Sequence, residues 1–369
     1  MESQINYIKN KPTLKGPKNV LVIGSSSGYG LASCIVSAYG CGANTIGVSY
    51  DNPGDVNKVG TVGWYNIKAF QNSLKDSHIK SFNIFGDAFS YEVKKEVAQI
   101  VKNNLGKLDL VIYSIASKKR IDPETKQVYS SAIKPINERF VFKTLDINLK
   151  RLYESSLDVA NEEEIFQTKK VMGGEDWYLW IKFLDDKKLL NNNFKTVAFS
   201  YIGPVFTYPI YRNGTLGEAK KDLEKTAKSL KSMLKKYKGD ALISINKALI
   251  TKASVVIPSM SLYVSTLYTI MKRKGIHEEC IHQVYRLFKD NIYAKNFKNM
   301  DEEGRIRLDD LELKDDVQKE VTDIIYKVDS DNITKYIDLD GFINDFLKFY
   351  GFNQDNVDYN KEINLIDWK

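Results

Sequence analysis

The sequence predicts an α/β fold: a doubly wound parallel sheet, elaborated by a β-hairpin insertion and a C-terminal helical part. Short apolar segments alternate with helical segments over residues 16–117, a pattern typical of β-α-β units with helices on both faces of a sheet. A charged insertion, 118–164, interrupts this alternation before strands and helices resume at 195–300. Residues 301–369 have the pattern of helices packed against the main body. Because no Pro/Gly/Ser-rich linker divides the chain, we expect one domain over residues 1–369.

Each element of this fold has its own sequence signal. Apolar strands are expected at residues 20–23, 45–50, 79–85, 108–113 and 195–200. Helices are expected after the first strand, at 91–104 and at 174–184. In the insertion, Leu145, Ile147 and Leu149 alternate with polar residues, which predicts a β-hairpin beside the carboxyl edge of the sheet, in a position suited to a lid.

The turn after the first strand carries the strongest functional signal. It reads Gly24, Ser25, Ser26, Ser27, Gly28, Tyr29 and Gly30, between an apolar strand and the first turn of a helix. Glycines at this spacing let the backbone approach a pyrophosphate, which the N–H groups of the helix N-terminus bind. The strand and helix on either side favour a Rossmann-type dinucleotide site over an ordinary turn.

An acid stands where the second strand is expected to end. Asp51 lies about twenty residues beyond the last glycine, the position at which an acid binds the adenosine ribose hydroxyls. Its charge would repel a 2′-phosphate, so we expect NADH to be preferred over NADPH. The alternative is a solvated acid that opens the turn at 52–54.

Composition and charge exclude several classes of protein. Cys34, Cys41 and Cys280 lack metal-ligand spacing and indicate reduced thiols in a cytoplasmic protein, and the three histidines form no zinc pattern. The net charge of +7 is spread along the chain, which suits anionic small molecules or an acidic carrier and gives no focused nucleic-acid surface. The N-terminus lacks the pattern of a signal peptide.

One long uncharged run stands out near residue 260. Residues 253–271 include Pro258 and several Ser and Thr residues, so the run makes a poor membrane span. A buried helix that lines a pocket for an apolar ligand is the better interpretation, with Met260, Leu262 and Leu267 as candidate contacts. A core helix without a functional role is the alternative.

The candidate catalytic residues are Tyr201, Tyr211 and Lys220. Thr215 and Glu218 have capping-box spacing, which predicts a helix that begins at Leu216 and follows the loop carrying Tyr211. An ammonium near a phenol stabilises the phenolate and lowers its pKa, and a lysine can also hold a nicotinamide ribose. The alternative is coincidence, since a chain with 22 tyrosines places some of them near lysines.

Several segments resemble the FabV-type trans-2-enoyl-ACP/CoA reductases, a divergent branch of the short-chain dehydrogenase/reductases. They are GPKNVLVIGSSSGYGLA at 16–32, GWYN at 63–66, VMGGEDW at 171–177, SYIG at 200–203, and the eight-residue gap between Tyr211 and Lys220. That gap distinguishes the family from ordinary members of the superfamily, and the resemblance extends from about residue 5 to the C-terminus.

The resemblance implies a role for particular residues. Tyr211 would be the proton donor, and Tyr201 would contact the substrate. The cofactor contacts would be Gly24, Ser25, Ser26, Ser27, Gly28, Tyr29, Tyr50, Asp51, Asp87, Ala88, Ile115, Ala116, Lys220, Leu249, Ile250 and Thr251. The family usually has glutamate where Asp51 stands, so the charge is kept with a shorter reach.

These observations predict NADH-dependent reduction of the C2–C3 double bond of trans-2-enoyl thioesters, carried by ACP or CoA, in fatty acid biosynthesis or butyrate-type metabolism. We expect no metal, no flavin, no nucleic acid partner and no integral membrane segment, and the resemblance suggests a monomer. Two alternatives are a short-chain carbonyl or alcohol dehydrogenase, which would need a Tyr-x-x-x-Lys motif, and a non-catalytic NAD-binding regulator. The regulator would not need Tyr201, Tyr211 and Lys220 together.

Overall fold

The computed structural model describes residues 1–147, 149–249, 260–355 and 357–362. Its helices and strands follow one another in this order: α1 (Glu2–Lys9), β1 (Asn19–Ile23), α2 (Gly28–Ile35), β2 (Asn44–Ser49), α3 (Val62–Ser73), β3 (Ser81–Phe85), α4 (Tyr91–Ile100), β4 (Leu108–Tyr113), β5 (Lys119–Ile121), β6 (Val128–Ser130), β7 (Phe140–Asp146), β8 (Arg151–Leu157), α5 (Glu162–Met172), α6 (Glu175–Asp186), β9 (Leu190–Ser200), α7 (Tyr208–Tyr211), α8 (Thr215–Leu234), β10 (Asp240–Ile245), α9 (Ser261–Arg273), α10 (Cys280–Leu287), β11 (Ile306–Arg307), α11 (Asp315–Lys327), α12 (Ile333–Tyr336) and α13 (Leu339–Phe349).

Seven strands of these described ranges form one parallel sheet in the order β3-β2-β1-β4-β9-β10-β11. The chain order reverses between β1 and β4, as in a doubly wound sheet. Ile23 at the end of β1 pairs with Val48 of β2 and Tyr113 of β4, so the three strands end at one edge. The predicted fold class and the five predicted strands are confirmed, although β9 begins earlier than expected, at Leu190.

Helices cover both faces of the sheet because its strands alternate between two apolar cores. Leu21 and Ile23 of β1 belong to the core under α4, α6 and α8. Val20 and Val22 belong to the core under α1, α2 and α10. A strand buried on both faces reads as a continuous apolar run, which is why β1 and β4 were recognisable in the sequence.

The insertion contains the predicted hairpin, β7–β8, and two elements that the prediction missed. The strands β5 and β6 form a second, shorter hairpin, and α5 follows with a complete capping box between Asn161 and Glu164. The β7–β8 hairpin is attached to the C-terminal part of the chain: Leu145 N donates to Ser261 Oγ (2.9 Å), and Lys143 Nζ donates to the carbonyl of Val328 (3.1 Å).

The C-terminal helices build a third apolar cluster around α9. The helices α11 and α13 pack against α9, and the cluster also includes Tyr211. Met260, Leu262 and Leu267 are buried in it, which confirms a buried helix for the described part of the run at 253–271. Their contact with an apolar ligand stays a prediction. Within the described ranges, every helix is too short or too polar to cross a membrane.

Candidate active site

The predicted site residues lie on loops at the carboxyl edge of the sheet. The glycine turn follows β1, Asp51 follows β2, Ile115 and Ala116 follow β4, and Tyr201 follows β9. In an open α/β sheet, the crevice beyond the strand ends forms where the strand order reverses, between β1 and β4 here. Tertiary structure thus brings the segments singled out in the sequence to one edge.

Glycine is required at three points of the turn after β1. Gly24 (φ +89°) and Gly28 (φ +54°) adopt conformations that residues with a Cβ rarely take. A Cβ on Gly24 would collide with the carbonyl of Ser114, and one on Gly30 would collide with Gly24. These contacts bring the start of α2 against the ends of β1 and β4.

At the N-terminus of α2, the described residues provide no capping side chain and no acid for the first backbone N–H groups. Ser27 is the N-cap residue, but its side chain makes no capping hydrogen bond, and the first turn of the helix carries no acid. The first N–H groups of a helix have no partner inside the helix, and the helix dipole adds positive potential there. This end of α2 therefore suits a pyrophosphate.

The serines and the tyrosine of the turn have separate structural partners. Ser25 is buried, and its hydroxyl donates to the carbonyl of Val48 (3.3 Å). The carbonyl of Ser26 accepts from Asn66 Nδ2 (3.1 Å), a contact that the sequence did not predict. The hydroxyl of Tyr29 donates to the carbonyl of Lys247 (3.0 Å), so the turn is connected to the loop after β10.

Asp51 is fixed at the start of α3. Its Oδ1 accepts from Thr61 Oγ1 (2.7 Å), and Thr61 is the N-cap of α3. A Cβ on Gly63 would collide with the Asp51 carboxylate, so glycine is needed at that position. The ring of Tyr50 beside it is 82% exposed. The acid is thus held at the strand end by specific contacts, unlike a freely solvated acid of a turn.

The turn at Asp87 and Ala88 is held by hydrogen bonds from buried side chains. Asp87 Oδ1 accepts from the backbone N–H of Phe89 (2.9 Å). The carbonyl of Ala88 accepts from Lys94 Nζ and from Trp180 Nε1, both at 3.0 Å. The shape of this turn is therefore set by side chains of α4 and α6.

Lys94 and Asp176 form an ion pair that is almost fully buried. Lys94 Nζ lies 2.9 Å from Asp176 Oδ1 and also donates to the carbonyl of Phe89. The hydroxyl of Tyr113 donates to Asp176 Oδ2 (3.1 Å). Burial lowers the pKa of Lys94 and raises that of Asp176, and their mutual attraction opposes both shifts. This pair accounts for Asp176, one of the two acids of the VMGGEDW segment, whose role the sequence left unassigned.

The remaining predicted cofactor contacts follow β4 and β10. Ile115 is half-buried and Ala116 is exposed, beyond the end of β4. Leu249 is buried beyond the end of β10. Ile250 and Thr251 lie outside the described residues.

Tyr201 and Tyr211 are brought together at the end of β9. Their rings meet edge to face, with centroids 4.7 Å apart. The hydroxyl of Tyr201 donates to Glu312 Oε1 (2.9 Å). The part of the chain that the structure describes offers no hydrogen-bond partner to the hydroxyl of Tyr211, which lies in the short helix α7. Of the two tyrosines, Tyr211 is therefore the one whose hydroxyl proton has no acceptor among the described residues.

Lys220 reaches the same strand end from the second turn of α8. Its Nζ lies 3.4 Å from Ser200 Oγ, next to Tyr201. Burial lowers the pKa of Lys220 to about 8, and Glu224 partly opposes this shift. The sequence argument expected Lys220 to lower the pKa of Tyr211. In the structure the pKa of Tyr211 is raised instead, first by burial and then by the negative charge of Glu312.

The predicted capping box at Thr215 and Glu218 is wrong. The helix α8 begins at Thr215 itself, with Gly214 as the N-cap and no capping side chain. The Thr215 hydroxyl donates instead to the carbonyl of Ala132 and accepts from the N–H of Lys134 (3.2 Å). The Thr215 hydroxyl thus bonds to the insertion and does not cap the helix, so tertiary contacts fix the start of α8.

Sequence reasoning missed a buried carboxylate next to the two tyrosines. Glu312 accepts from the hydroxyls of Tyr201 and Tyr263 and from the N–H of Ala248. Burial raises its pKa, and the buried Lys247 opposes the shift. Because Glu312 is 111 residues from Tyr201, no local pattern could have linked them.

The strand order, the glycine turn and the uncompensated end of α2 together define a dinucleotide-binding protein of the Rossmann type. The turn requires glycine at positions 24 and 30, because a Cβ there would collide with Ser114 and with Gly24. Three family models match the chain: "NAD(P)H binding domain of trans-2-enoyl-CoA reductase" over residues 1–56, "Trans-2-enoyl-CoA reductase catalytic region" over 58–293, and "Enoyl reductase FAD binding domain" over 300–363.

Known proteins resemble the chain over nearly its whole length. The trans-2-enoyl-CoA reductase [NADH] of Clostridium perfringens (strain SM101 / Type A) is 47% identical over 99% of this chain and 93% of the relative. An enoyl-[acyl-carrier-protein] reductase [NADH] of Cytophaga hutchinsonii is 46% identical over 98% of this chain and 91% of the relative. The crystal structure of the Treponema denticola trans-2-enoyl-CoA reductase in complex with NAD has a TM-score of 0.93 at 45% identity, over 98% of this chain and 92% of that chain.

A second solved structure, the Clostridium acetobutylicum trans-2-enoyl-CoA reductase in complex with NADH, has a TM-score of 0.95 at 43% identity and covers 99% of this chain and 92% of that chain. The chain therefore belongs to the trans-2-enoyl-CoA reductase family. This confirms the resemblance seen in the sequence.

The C-terminal residues do not fit a flavin, despite the description of the third family model. In the described part of 300–363, α11 has Asp315 and Asp316 in its first turn. The N-cap of α13 is Asp338, whose carboxylate accepts from Gly341 N, and Asp340 follows in its first turn. The carboxylates in the first turns of both helices would repel a pyrophosphate.

Proposed function

We propose that this protein reduces the C2–C3 double bond of trans-2-enoyl thioesters with NADH. The observation that carries the proposal is the uncommitted hydroxyl of Tyr211, which lies beside Tyr201 and near the strand end that Lys220 reaches. Family membership supports it, since the C. perfringens relative is named a trans-2-enoyl-CoA reductase [NADH] and the C. hutchinsonii relative an enoyl-ACP reductase [NADH].

The cofactor is held by the crevice that begins at the glycine turn. The N-terminus of α2 would hold the pyrophosphate, and Asp51 would accept from the ribose hydroxyls of the adenosine. The resemblance assigns further cofactor contacts to Asp87, Ala88, Ile115, Ala116, Leu249, Ile250 and Thr251, of which Ile250 and Thr251 lie outside the described residues. Bound NADH supplies a hydride to C3 of the enoyl group.

Tyr211 stabilises and then neutralises the charge that develops on the substrate. Negative charge grows on the thioester oxygen as the double bond is reduced. A hydrogen bond from the Tyr211 hydroxyl to this oxygen is stronger in the transition state than in the ground state, so it lowers the barrier. The raised pKa of Tyr211 keeps its proton in place until that charge forms. Tyr211 then supplies the proton, directly or through the enol.

Lys220 orients the nicotinamide ribose. Below its lowered pKa, about 8, it carries an ammonium with three donors, of which one lies near Ser200 Oγ among the described residues. The remaining donors are available for ribose hydroxyls. A fixed ribose holds the reactive ring in one position relative to Tyr211, which is a contribution to orientation.

One assay separates this function from its alternatives. The purified protein is mixed with NADH and crotonyl-CoA, then with NADH and acetoacetyl-CoA, and the loss of NADH absorbance is followed. We expect turnover with crotonyl-CoA and none with acetoacetyl-CoA. Turnover with acetoacetyl-CoA alone would indicate a carbonyl dehydrogenase, and turnover with neither would indicate a regulator and overturn the proposal.

We propose further that residues 1–369 act as one domain, as a monomer in the cytoplasm, on thioesters of either CoA or an acyl carrier protein. Comparison of kcat/KM for crotonyl-CoA and crotonyl-ACP identifies the preferred carrier. Light scattering of the purified protein tests the monomer, because a dimer would double the scattering mass.

A further inference from the structure

We infer that Glu312 is a positioning residue: it accepts a hydrogen bond from the hydroxyl of Tyr201, holds that ring against Tyr211, and leaves proton donation at the substrate oxygen to Tyr211. The inference rests on the proposed function, since it assigns how two tyrosines of that site divide their work. It also gives Tyr201, which the resemblance made a substrate contact, a role through its neighbour Tyr211.

The Glu312 carboxylate accepts hydrogen bonds from two tyrosine hydroxyls. Its side chain is fully buried, and Oε1 lies 2.9 Å from the hydroxyl of Tyr201 and 2.7 Å from that of Tyr263. Oε2 accepts from the N–H of Ala248 (2.6 Å). The three donors converge on one carboxylate from the ends of β9 and β10 and from α9. Glu312 thus joins three elements that surround the substrate side of the crevice.

The charge of the carboxylate is compensated nearby. Lys247 is buried, its Nζ donates to the carbonyl of Ala248 (2.8 Å), and its positive charge favours the ionised form of Glu312. A carboxylate that accepts three hydrogen bonds has its oxygens satisfied although it is buried. It therefore acts as an acceptor toward both tyrosines.

A phenol has a single proton, and this fact separates the two candidate donors. The hydroxyl of Tyr201 can donate to Glu312 or to a thioester oxygen, but not to both. A hydrogen bond to a buried carboxylate is the stronger choice, so Tyr201 stays committed to Glu312. Tyr211 has no such acceptor in the described part of the chain. The edge-to-face contact at 4.7 Å then lets the fixed ring of Tyr201 hold the ring of Tyr211 in place.

The location of the pair fits a role beside the substrate. A groove of about 460 Å³ runs between the loop at 203–208 and α11, and its lining includes Gly203 and Leu313. Gly203 has φ +73°, and a Cβ there would collide with the ring of Tyr201. Leu313 directly follows Glu312. Gly203 and Leu313 thus connect the wall of this groove to Tyr201 and Glu312, which do not line it themselves.

The test is a double-mutant cycle on the full-length protein with NADH and crotonyl-CoA. E312A and Y201F each remove the hydrogen bond between Tyr201 and Glu312, so we expect each to lower kcat by about tenfold and the double variant to fall no further than the lower of the two single variants. The Kd of NADH, measured by fluorescence, should stay within about twofold of wild type in Y201F, because this variant leaves the hydrogen bond from Ala248 N to Glu312 in place. Effects that multiply in the double variant would overturn the inference.

Two further variants keep the inference open to refutation if E312A does not fold. Y201F should retain at least about ten times the kcat of Y211F, because only Tyr211 donates its proton to the substrate; equal losses would overturn the inference. Y263F removes another donor to Glu312 and leaves the Tyr201 bond, so it should lower kcat less than Y201F does. Absence of turnover in the wild type would instead be a failure of the proposed function.

Discussion

The rings of Tyr201 and Tyr211 meet edge to face with their centroids 4.7 Å apart, yet their hydroxyl groups have different partners. Tyr201 donates to the buried Glu312, whereas the described residues give Tyr211 no acceptor. Two phenols in contact are thus divided into one that is held and one that can react. This division determines which substitutions should abolish turnover and which should only weaken it.

Tyr211→Phe should keep NADH binding and lose at least about a hundredfold in kcat on crotonyl-CoA, because the variant retains the ring but has no proton to donate. Stopped-flow turnover and NADH fluorescence titration measure the two effects separately. Tyr237→Phe is the matched control, since Tyr237 donates to Asp185 near the opposite edge of the sheet. Activity of Tyr211→Phe within about threefold of wild type would refute the assignment of Tyr211 as proton donor.

Asp51→Asn should narrow the preference for NADH over NADPH by roughly tenfold, because it removes the charge that repels a 2′-phosphate. Asparagine keeps an acceptor for the Thr61 hydroxyl, so the start of α3 should remain in place. The measurement is the ratio of kcat/KM for the two cofactors. Asp55→Asn, on the same loop and exposed, is the control. Equal use of NADH and NADPH by the wild type would contradict the charge argument.

Asp176→Asn should lower the free energy of unfolding by about 3–5 kcal/mol, because Lys94 would be left as a buried charge without its partner. The Kd of NADH should also rise, since Lys94 supports the carbonyls of Ala88 and Phe89. Urea unfolding and NADH titration measure these effects. Asp186→Asn provides the comparison on the same helix, where an exposed pair with Lys182 should contribute nothing measurable. An unchanged unfolding midpoint for Asp176→Asn would contradict the role of the pair.

The affinity for NADH should fall as pH rises through about 8, the lowered pKa of Lys220. Below that pH the side chain is an ammonium, and above it becomes a neutral amine that holds the ribose hydroxyls less strongly. Titration with NADH between about pH 6.5 and about pH 9.5 follows the change. Lys220→Met should bind NADH weakly and without this pH step. Lys247→Met should keep the step, although burial lowers the pKa of Lys247 to about 8 as well. Loss of the step in Lys247→Met alone would assign it to the other lysine.

The cofactor half of the fold could be predicted from the sequence because its signals are local. The apolar runs of β1 and β4, and the glycines at 24, 28 and 30, are requirements of backbone conformation and of a two-faced sheet. The capping boxes show where local reasoning stops. Asn161 and Glu164 form one that the prediction passed over, while Thr215 and Glu218 have the same spacing and form none. The Thr215 hydroxyl donates to Ala132 of the insertion. A rule based on residue spacing cannot predict such a partner, because the partner is distant along the chain.

The α/β class, the dinucleotide turn, the acid after the second strand and the candidate tyrosines and lysine could be predicted from local sequence patterns. The charge and the partners of those groups depend on how the chain folds around them. The tertiary structure raised the pKa of Tyr211 where the sequence expected it to be lowered, and it brought Glu312 to Tyr201 across 111 residues. The reason is physical: strand and turn preferences are set by neighbouring residues, whereas burial and charge depend on everything that packs around a group, however distant along the chain.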